Sequence, residues 1–523
     1  MMHASKAALV LGLAVALIPA RFARSGEAPA LPAPPAEAVV DLAQIEAEDK
    51  GLELKPRTEP PIQLSLQQCI ELALRNNIGL QIERLNPELR GAAVEIARSA
   101  FDPTIGGTLN GGMQHQPSAN GSPVKHTADG TAYISQRALS GGSYRIGPEL
   151  YRSADSTHAA NLALTLTQPL LQNFGFDANR VGIDIAENEL AIAESALIGQ
   201  IIFTVADAHR AYWDLVLAYR QLDVQRVSLD QAAELLRENI VKMQMKVAIK
   251  TDVLQARATM ASRRILLVQA ESSIRLYEDN LKRLTNIAGN NGQATATWQQ
   301  PLVPTTEAPF IESHPDELDA IRQAFENRTD YFSQKKRMEN ADIQLRFAKN
   351  QLYPQLDLAA SASVNGTHSS QRGALDSMAE DRFNRWSLGM VFSYPLGNRS
   401  RKNAYRQRQI EKDQALLYFK SLEQQIILDV RSAVRNIETD FRRVKAARIA
   451  VDSARANLEA AQEVKKEGGA GITTTDILQF QAELESASSN YLRSVVDYNK
   501  SLITLDQAKG TLLKTQNIDV KRE

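Results

Sequence analysis

Cysteine is nearly absent. Cys69 stands alone among 523 residues, which excludes an intrachain disulfide and leaves the bland expectation of a buried thiol on a helix face. The seven histidines are scattered, and there is no nucleophile-elbow or phosphate-loop spacing, so metal and acyl-transfer chemistry find no constellation of residues. The run Gly468-Gly469-Ala470-Gly471 is too short for a phosphate loop and sits where a hairpin needs a turn. The chain is therefore read as a non-enzyme without catalytic, cofactor or metal site. Charge of one sign is lacking as well: the formal net charge of -1 gives no reason to expect nucleic acid. Past the N-terminus no run approaches 18 uninterrupted apolar residues, so a membrane, if entered, is not expected to be crossed by helices. Proline is missing from two long windows, 170–300 and 396–523, and because proline is costly inside a helix these windows are the candidate long helices.

What is present begins with Lys6 and the apolar run Ala7 to Ala20, followed by Ala23-Arg24-Ser25. This reads as an export signal over 1–25, too short to span a bilayer. Residues 26–63, rich in Pro and Ala, read as a flexible leader. Beyond it the chain is written twice. Thr251-Asp252-Val253-Leu254-Gln255 returns 224 residues later as Thr475-Asp476-Ile477-Leu478-Gln479, and Thr167-Gln168-Pro169-Leu170 returns 226 residues later as Ser393-Tyr394-Pro395-Leu396. Phe101-Asp102-Pro103 answers Leu352-Tyr353-Pro354 at an offset of 251, so the extra 25 residues of the first copy fall between Pro103 and Pro169. A duplicated plan implies an internally pseudosymmetric body. Its expected parts are a first repeat over 64–288, a linker over 289–314, a second repeat over 315–513 and a tail over 514–523.

Within each copy the hydrophobic period changes. From Leu190 through Ile201, Tyr212, Leu222 and Leu236 to Met243, apolar residues recur at about 3.5 positions per step, and Val253, Met260, Leu267, Ile274 and Leu281 follow at strict sevens. In the second copy Arg401 to Glu467 holds neither Pro nor Gly, and its 67 residues would reach roughly 100 Å as a helix. Reversals are expected at Met243–Lys250 and Gly468–Thr474. Shorter helical pairs precede the proline landmarks: Ser65 to Arg98, with Ser65 and Gln68 as a capping box, and Pro315 to Asn350.

Between the landmarks the period is two. Leu162, Leu164 and Leu166 alternate with small or polar residues, as do Leu356 to Ala362 and Trp386, Leu388, Met390, Phe392 and Tyr394. Trp386 and Tyr394 lie eight residues apart, about 26 Å along a strand, which approximates a lipid band between aromatic girdles. The expectation is four strands per chain, Thr104–Met113 paired with Asn161–Gln168 and Gln355–Val364 paired with Arg385–Tyr394. Four strands cannot close a barrel in lipid, so closure requires several chains. The segment Thr131 to Tyr151 has strand character too, and is expected to extend or decorate the first hairpin on the external side.

The opening Leu64-Ser65-Leu66-Gln67-Gln68-Cys69-Ile70-Glu71-Leu72-Ala73-Leu74-Arg75-Asn76-Asn77, the landmark Gln168-Pro169-Leu170-Leu171-Gln172-Asn173-Phe174-Gly175 and the paired Thr-Asp-(Val/Ile)-Leu-Gln segments resemble those of TolC-like outer-membrane efflux proteins, over roughly residues 64 to 513. The resemblance implies an α+β membrane protein of the bacterial outer membrane: a homotrimer sharing a twelve-stranded transmembrane β-barrel, four strands per chain, continuous with a long periplasmic α-helical barrel. It implies an exit duct of a tripartite efflux pump or type I secretion system, fed by an inner-membrane transporter and a periplasmic adaptor. On this reading Leu162, Leu164, Leu166, Trp386, Leu388, Met390, Phe392 and Tyr394 face outer-membrane lipid. The adaptor docks at the tips, Lys246, Val247, Ala248 and Ile249 with Gly469, Ala470, Gly471 and Ile472. Asp476 rings the pore entrance, with Gln479 where relatives carry a second acid. Where the family's tips carry Gly, this chain has Lys246 and Ala470. The bland account of Asp252 and Asp476 is a carboxylate at a helix N-terminus. A periplasmic coiled-coil adaptor or structural rod would also explain the helices, though not two pairs of amphipathic strands.

Overall fold

The computed structural model describes residues 59–519 apart from 116–123, 153–156, 248, 288–293, 381–384 and 467–470. The signal and most of the leader lie outside the described residues, as do Ala248, Gly469 and Ala470. The first half runs β1 (Ile62–Leu64), α1 (Leu66–Asn76), α2 (Ile78–Arg98), β2 (Thr104–His115), β3 (Val124–Arg137), β4 (Ser143–Arg152), β5 (His158–Pro169), α3 (Val181–Gln244) and α4 (Lys250–Thr285). The second runs β6 (Leu302–Pro304), α5 (Glu317–Asn327), α6 (Thr329–Asn350), β7 (Gln355–His368), α7 (Gln371–Glu380), β8 (Arg385–Ser393), α8 (Arg399–Lys466) and α9 (Thr474–Lys509). Helix pair, strands and long helical hairpin thus follow in the same order in both halves.

The helices start and stop where local chemistry directs. Ser65 and Gln68 form the expected capping box on α1, and Asn77, in an extended conformation, ends α1 and caps α2 by accepting from the Leu80 N–H at 2.9 Å. Asp316 caps α5 through the N–H groups of Leu318 and Asp319. α3 and α8, with 64 and 68 residues, fill the proline-free windows and reach about 100 Å each.

Apolar seams hold the hairpins together. The heptad residues Val253, Met260, Leu267, Ile274 and Leu281 of α4 are all buried. In the other hairpin Ile426, Val430, Ala433, Ile437, Phe441 and Val444 of α8 pack with Val495, Tyr498 and Leu505 of α9. Each such side chain contributes about 1.5–3 kcal/mol by leaving water. Although α3 contains a window of mean hydropathy 1.5, apolar enough to cross a membrane, it directs Ile201, Val205 and Ala206 into a core shared with α1, α2 and the C-terminal turn at Leu512 and Leu513. The two hairpins are joined by a partly buried ion pair, Arg263 with Glu485, and Gln225 donates to Glu485 at 2.9 Å.

The linker between the halves is tied down rather than free. β6 pairs in parallel with β1, and the buried Tyr212 hydroxyl donates to the Leu64 carbonyl at 3.1 Å while accepting from the Thr306 N–H at 2.8 Å. Lys282 donates to the Trp298 carbonyl at 2.7 Å.

The remaining strands form one antiparallel sheet in the order β2-β3-β4-β5-β7-β8. This corrects the expectation of four strands. β2 does not pair with β5; the segment expected to decorate the external side supplies two full strands between them, β3 and β4. The 25 extra residues of the first copy are therefore accounted for by an added hairpin, whose register runs in step with its neighbours along their length. At the helical end the Gln-Pro-Leu-Leu-Gln-Asn-Phe-Gly landmark makes the turn from β5 into α3. Asn173 and Gly175 take positive φ there, 62° and 92°, and the Asn173 N–H is held by the Asn350 side chain at 2.7 Å. Gly397 and Asn398 repeat the device after β8. At the opposite end α7 lies over Ala160 and Gly366, where a Cβ on Gly366 would sit 2.1 Å from the Ala374 carbonyl oxygen.

His209 of α3 is 2% exposed, and burial pushes its pKa down to about 4, against the opposing pull of Gln516 and Asp506. An unfolded chain takes up this proton near pH 6.5 while the folded one does not until about pH 4, so stability falls as the pH drops through that window, by about 3 kcal/mol at most. Melting of detergent-solubilised protein from pH 7 to pH 4 should show this loss, and His209→Gln should flatten it. An unchanged pH slope in the variant would contradict the assignment.

Candidate functional site: a two-faced sheet and the helical tips

Because side chains alternate along a strand, the register sorts the sheet into two faces. Ile105 lies opposite Ile134, Ile134 opposite Ile146, Ile146 opposite Leu164, Leu164 opposite Ala362, and Ala362 opposite Trp386. One apolar row thus crosses all six strands. The same face carries Leu109, Met113, Leu162, Leu166, Leu388, Met390 and Phe392, all exposed. Every strand residue expected to face lipid falls on it, and Tyr394 follows β8 in the same phase.

The opposite face is polar and hydrogen-bonded across strands. Thr108 and Thr131 meet at 2.8 Å, Asn110 donates to Asp129 at 2.8 Å, Asn161 donates to Glu149 at 3.3 Å, and Ser361 meets Ser387 at 2.8 Å. The Arg145 guanidinium lies 3.6 Å over the Tyr133 ring. Among the described residues no group of three or more His, Cys, Asp or Glu is placed to hold a metal.

At the far end of the long helices the first tip closes as a helix C-terminal motif. Val247 N–H donates to the Lys242 carbonyl at 2.8 Å and Lys246 N–H to that of Met243 at 3.0 Å, with Lys246 at φ 59°. Lys246 therefore occupies the left-handed position in which glycine is least strained, at the place where the resemblance expects glycine. Met245, Val247 and Ile249 stand exposed around it. In the second tip Gly471 is exposed, whereas Ile472 packs against Leu235, Leu458, Ala461 and Ile477. Ile472 is half-buried, its side chain anchoring the tip to this cluster.

Asp476 sits at the start of α9 in a capping box. Its carboxylate accepts from the Thr473 N–H and hydroxyl, both at 2.7 Å, while the Thr473 hydroxyl accepts from the Asp476 N–H at 3.2 Å. The Thr473 hydroxyl, followed by its N–H, holds the Asp476 carboxyl below its usual pKa, so it is ionised at neutral pH. Gln479 donates to Glu483 at 2.9 Å and is exposed. Thr475 reaches Gln255 at 3.4 Å and so links the two copies of the motif. Asp252, in contrast, follows Ile249, which supplies no side-chain cap. What sequence reasoning missed is the polar face of the added hairpin, with Asp129, Arg137, Arg145 and Glu149; the in-phase alternation Ala132, Ile134 and Tyr144, Ile146, Pro148, Leu150 was its signal.

The face assignment has a direct test. Leu388→Arg places a charge on the apolar face and should lower the stability of the assembled protein by about 2–4 kcal/mol if it lies near the bilayer midplane, while Ser387→Arg on the other face should be milder. Yield of folded protein in the membrane fraction measures both, and equal tolerance would contradict the strand phase.

Comparison with known proteins agrees with this geometry. Residues 69–289 and 320–511 match the family described as outer membrane efflux protein. The fold is similar to the Campylobacter jejuni CmeC outer membrane channel (TM-score 0.63, 17% identity, 86% of each chain covered). It is also similar to the outer membrane protein VceC of Vibrio cholerae (TM-score 0.63, 18% identity, 85% of this chain and 96% of that one) and to the open-state MtrE outer membrane channel of Neisseria gonorrhoeae (TM-score 0.60, 17% identity, 86% and 89%). No curated protein sequence matches the chain. With a two-faced sheet, paired helical hairpins and a family match spanning most of its length, the chain belongs to the outer membrane efflux protein family, and is a TolC-like protein of the outer membrane with a periplasmic portion.

Proposed function

We propose that this protein is the outer-membrane exit duct of a tripartite efflux pump or type I secretion system, passively conducting substrates received from an inner-membrane transporter and a periplasmic adaptor. The observation that carries this reading is the apolar row crossing the whole sheet, backed by a polar face. Lipid on one side and a wet passage on the other are what such a sheet satisfies. A coiled-coil adaptor or rod would leave the apolar face without a use.

The duct is a homotrimer on this reading. The sheet ends in two open edges, β2 and β8, which lipid cannot hydrogen-bond. The helices carry a matching demand: Ile82, Leu85, Leu89 and Ile96 of α2 and Leu417, Tyr418 and Leu428 of α8 are exposed in the single chain, and neighbouring copies would cover them. The adaptor meets the tip carrying Met245, Val247 and Ile249, with Gly471 beside it. Asp476 and Gln479 lie at the entrance, where three copies of the ionised Asp476 would attract cations.

Crosslinking in detergent should give trimers, and a monodisperse monomer would contradict the assembly. In planar bilayers Asp476→Asn should lower the cation preference of single channels without altering trimer yield, because the Thr473 hydroxyl still caps α9. A variant that loses stability but keeps its selectivity would assign Asp476 to capping alone.

A further inference from the structure

The added hairpin changes the wall of the proposed duct. β3 and β4 are strands of 14 and 10 residues, each paired antiparallel with both neighbours; the β3–β4 ladder skips Ala132 and Tyr133, opposite Pro148 and Gly147, and resumes at Ile134–Ile146 without a change of register. Their connecting turn returns to the helical end of the sheet. There Gly175 N–H donates to the Ser140 carbonyl at 3.1 Å, Gln136 donates to the Phe101 carbonyl at 2.9 Å, and Arg137 donates to Asn179 at 2.9 Å. The hairpin therefore spans the same height as β2 and β5. Its faces are also in phase with theirs: Ile134 and Ile146 continue the apolar row, while Asp129, Arg137, Arg145 and Glu149 point to the polar side. A hairpin lying outside the wall would need none of this agreement.

Resting on the proposed trimeric duct, we infer that β3 and β4 are wall strands, so that three copies close an eighteen-stranded barrel through β8 of one copy and β2 of the next. Barrel diameter grows roughly linearly with strand number, so this lumen is about 1.5 times as wide as twelve strands enclose and suits bulkier cargo. β2 contains no Asp, Glu, Lys or Arg to blunt its edge, and the apolar face runs out to Ile105, Leu109 and Met113 on β2 and to Trp386, Leu388, Met390 and Phe392 on β8. The second copy thus meets an edge continuous on both faces. The hairpin also supplies most of the lumen's charge, because β2 and β5 bring no acidic residue, lysine or arginine, while β7 and β8 bring Asp357 and Arg385. Arg145 lies near the helical end, and Glu149 lies about 13 Å further along the strand.

Single cysteines at positions 144 to 151, introduced with Cys69→Ser, test this in liposome-embedded protein with a hydrophilic maleimide as probe. Arg145→Cys, Glu149→Cys and Tyr151→Cys should label, and labelling should be lost at Ile146→Cys, Pro148→Cys and Leu150→Cys. A Thr108→Cys/Thr131→Cys pair should form an intrachain disulfide in the same trimers. Uniform labelling, or failure of the pair to crosslink within intact trimers, would overturn the wall assignment while leaving the duct standing. Alternating labelling in a protein that gives no trimers would overturn the eighteen-stranded closure together with the trimeric reading.

Discussion

Every backbone N–H and C=O of a sheet placed in lipid must find a partner in a medium that offers none. Inside the chain the six-stranded ladder meets this requirement for four strands on both sides, and leaves β2 and β8 each open on one. The two-faced alternation suits the same constraint, since in the proposed duct a wall one strand thick would have lipid on one side and the passage on the other. A slip of one residue anywhere in the ladder would turn that strand's apolar set inward, so the register is strongly specified by the faces it must present. In the proposed duct, the open edges are what would drive the chains to assemble.

The helices meet a different requirement, that of reach. α3 and α8 extend about 100 Å without proline, and no propensity alone would hold helices of that length straight in isolation from neighbours. Seams every 3.5 residues supply the packing, and the partly buried Arg263–Glu485 pair joins the two hairpins at one point along them. Removing one member of that pair leaves a charge uncompensated in a partly desolvated site, which costs more than replacing both. The β1–β6 strap around Tyr212 joins the halves near the middle of α3. Compact packing at the centre thus leaves the tips and the sheet, the two ends proposed to meet partners and lipid, comparatively unencumbered.

Much of this was legible from residues alone. Proline-free windows located the long helices to within a few residues of α8, because proline is excluded from a helix interior by sterics as well as by its missing N–H. The capping box at Ser65 and the heptads from Val253 to Leu281 are local signals and are met locally. The added hairpin was less visible, because Gly130, Gly147 and Pro148 weaken its alternation, and pairing with distant β2 and β5 decides it. Lys246 in the left-handed region and Ile472 turned inward were also beyond sequence reasoning, since both depend on how a turn closes. Asp476 was read with two roles; its capping role is visible in hydrogen bonds, whereas an entrance role depends on other chains.

The central claim is that β2 and β8 are paired to each other's copies in the membrane. Amide hydrogen exchange of the detergent-extracted assembly measures this directly, strand by strand. The account predicts that amides along Thr104–His115 and Arg385–Ser393 exchange as slowly as those of the interior strand β5. Fast exchange confined to these two edges, with β5 protected, would contradict it.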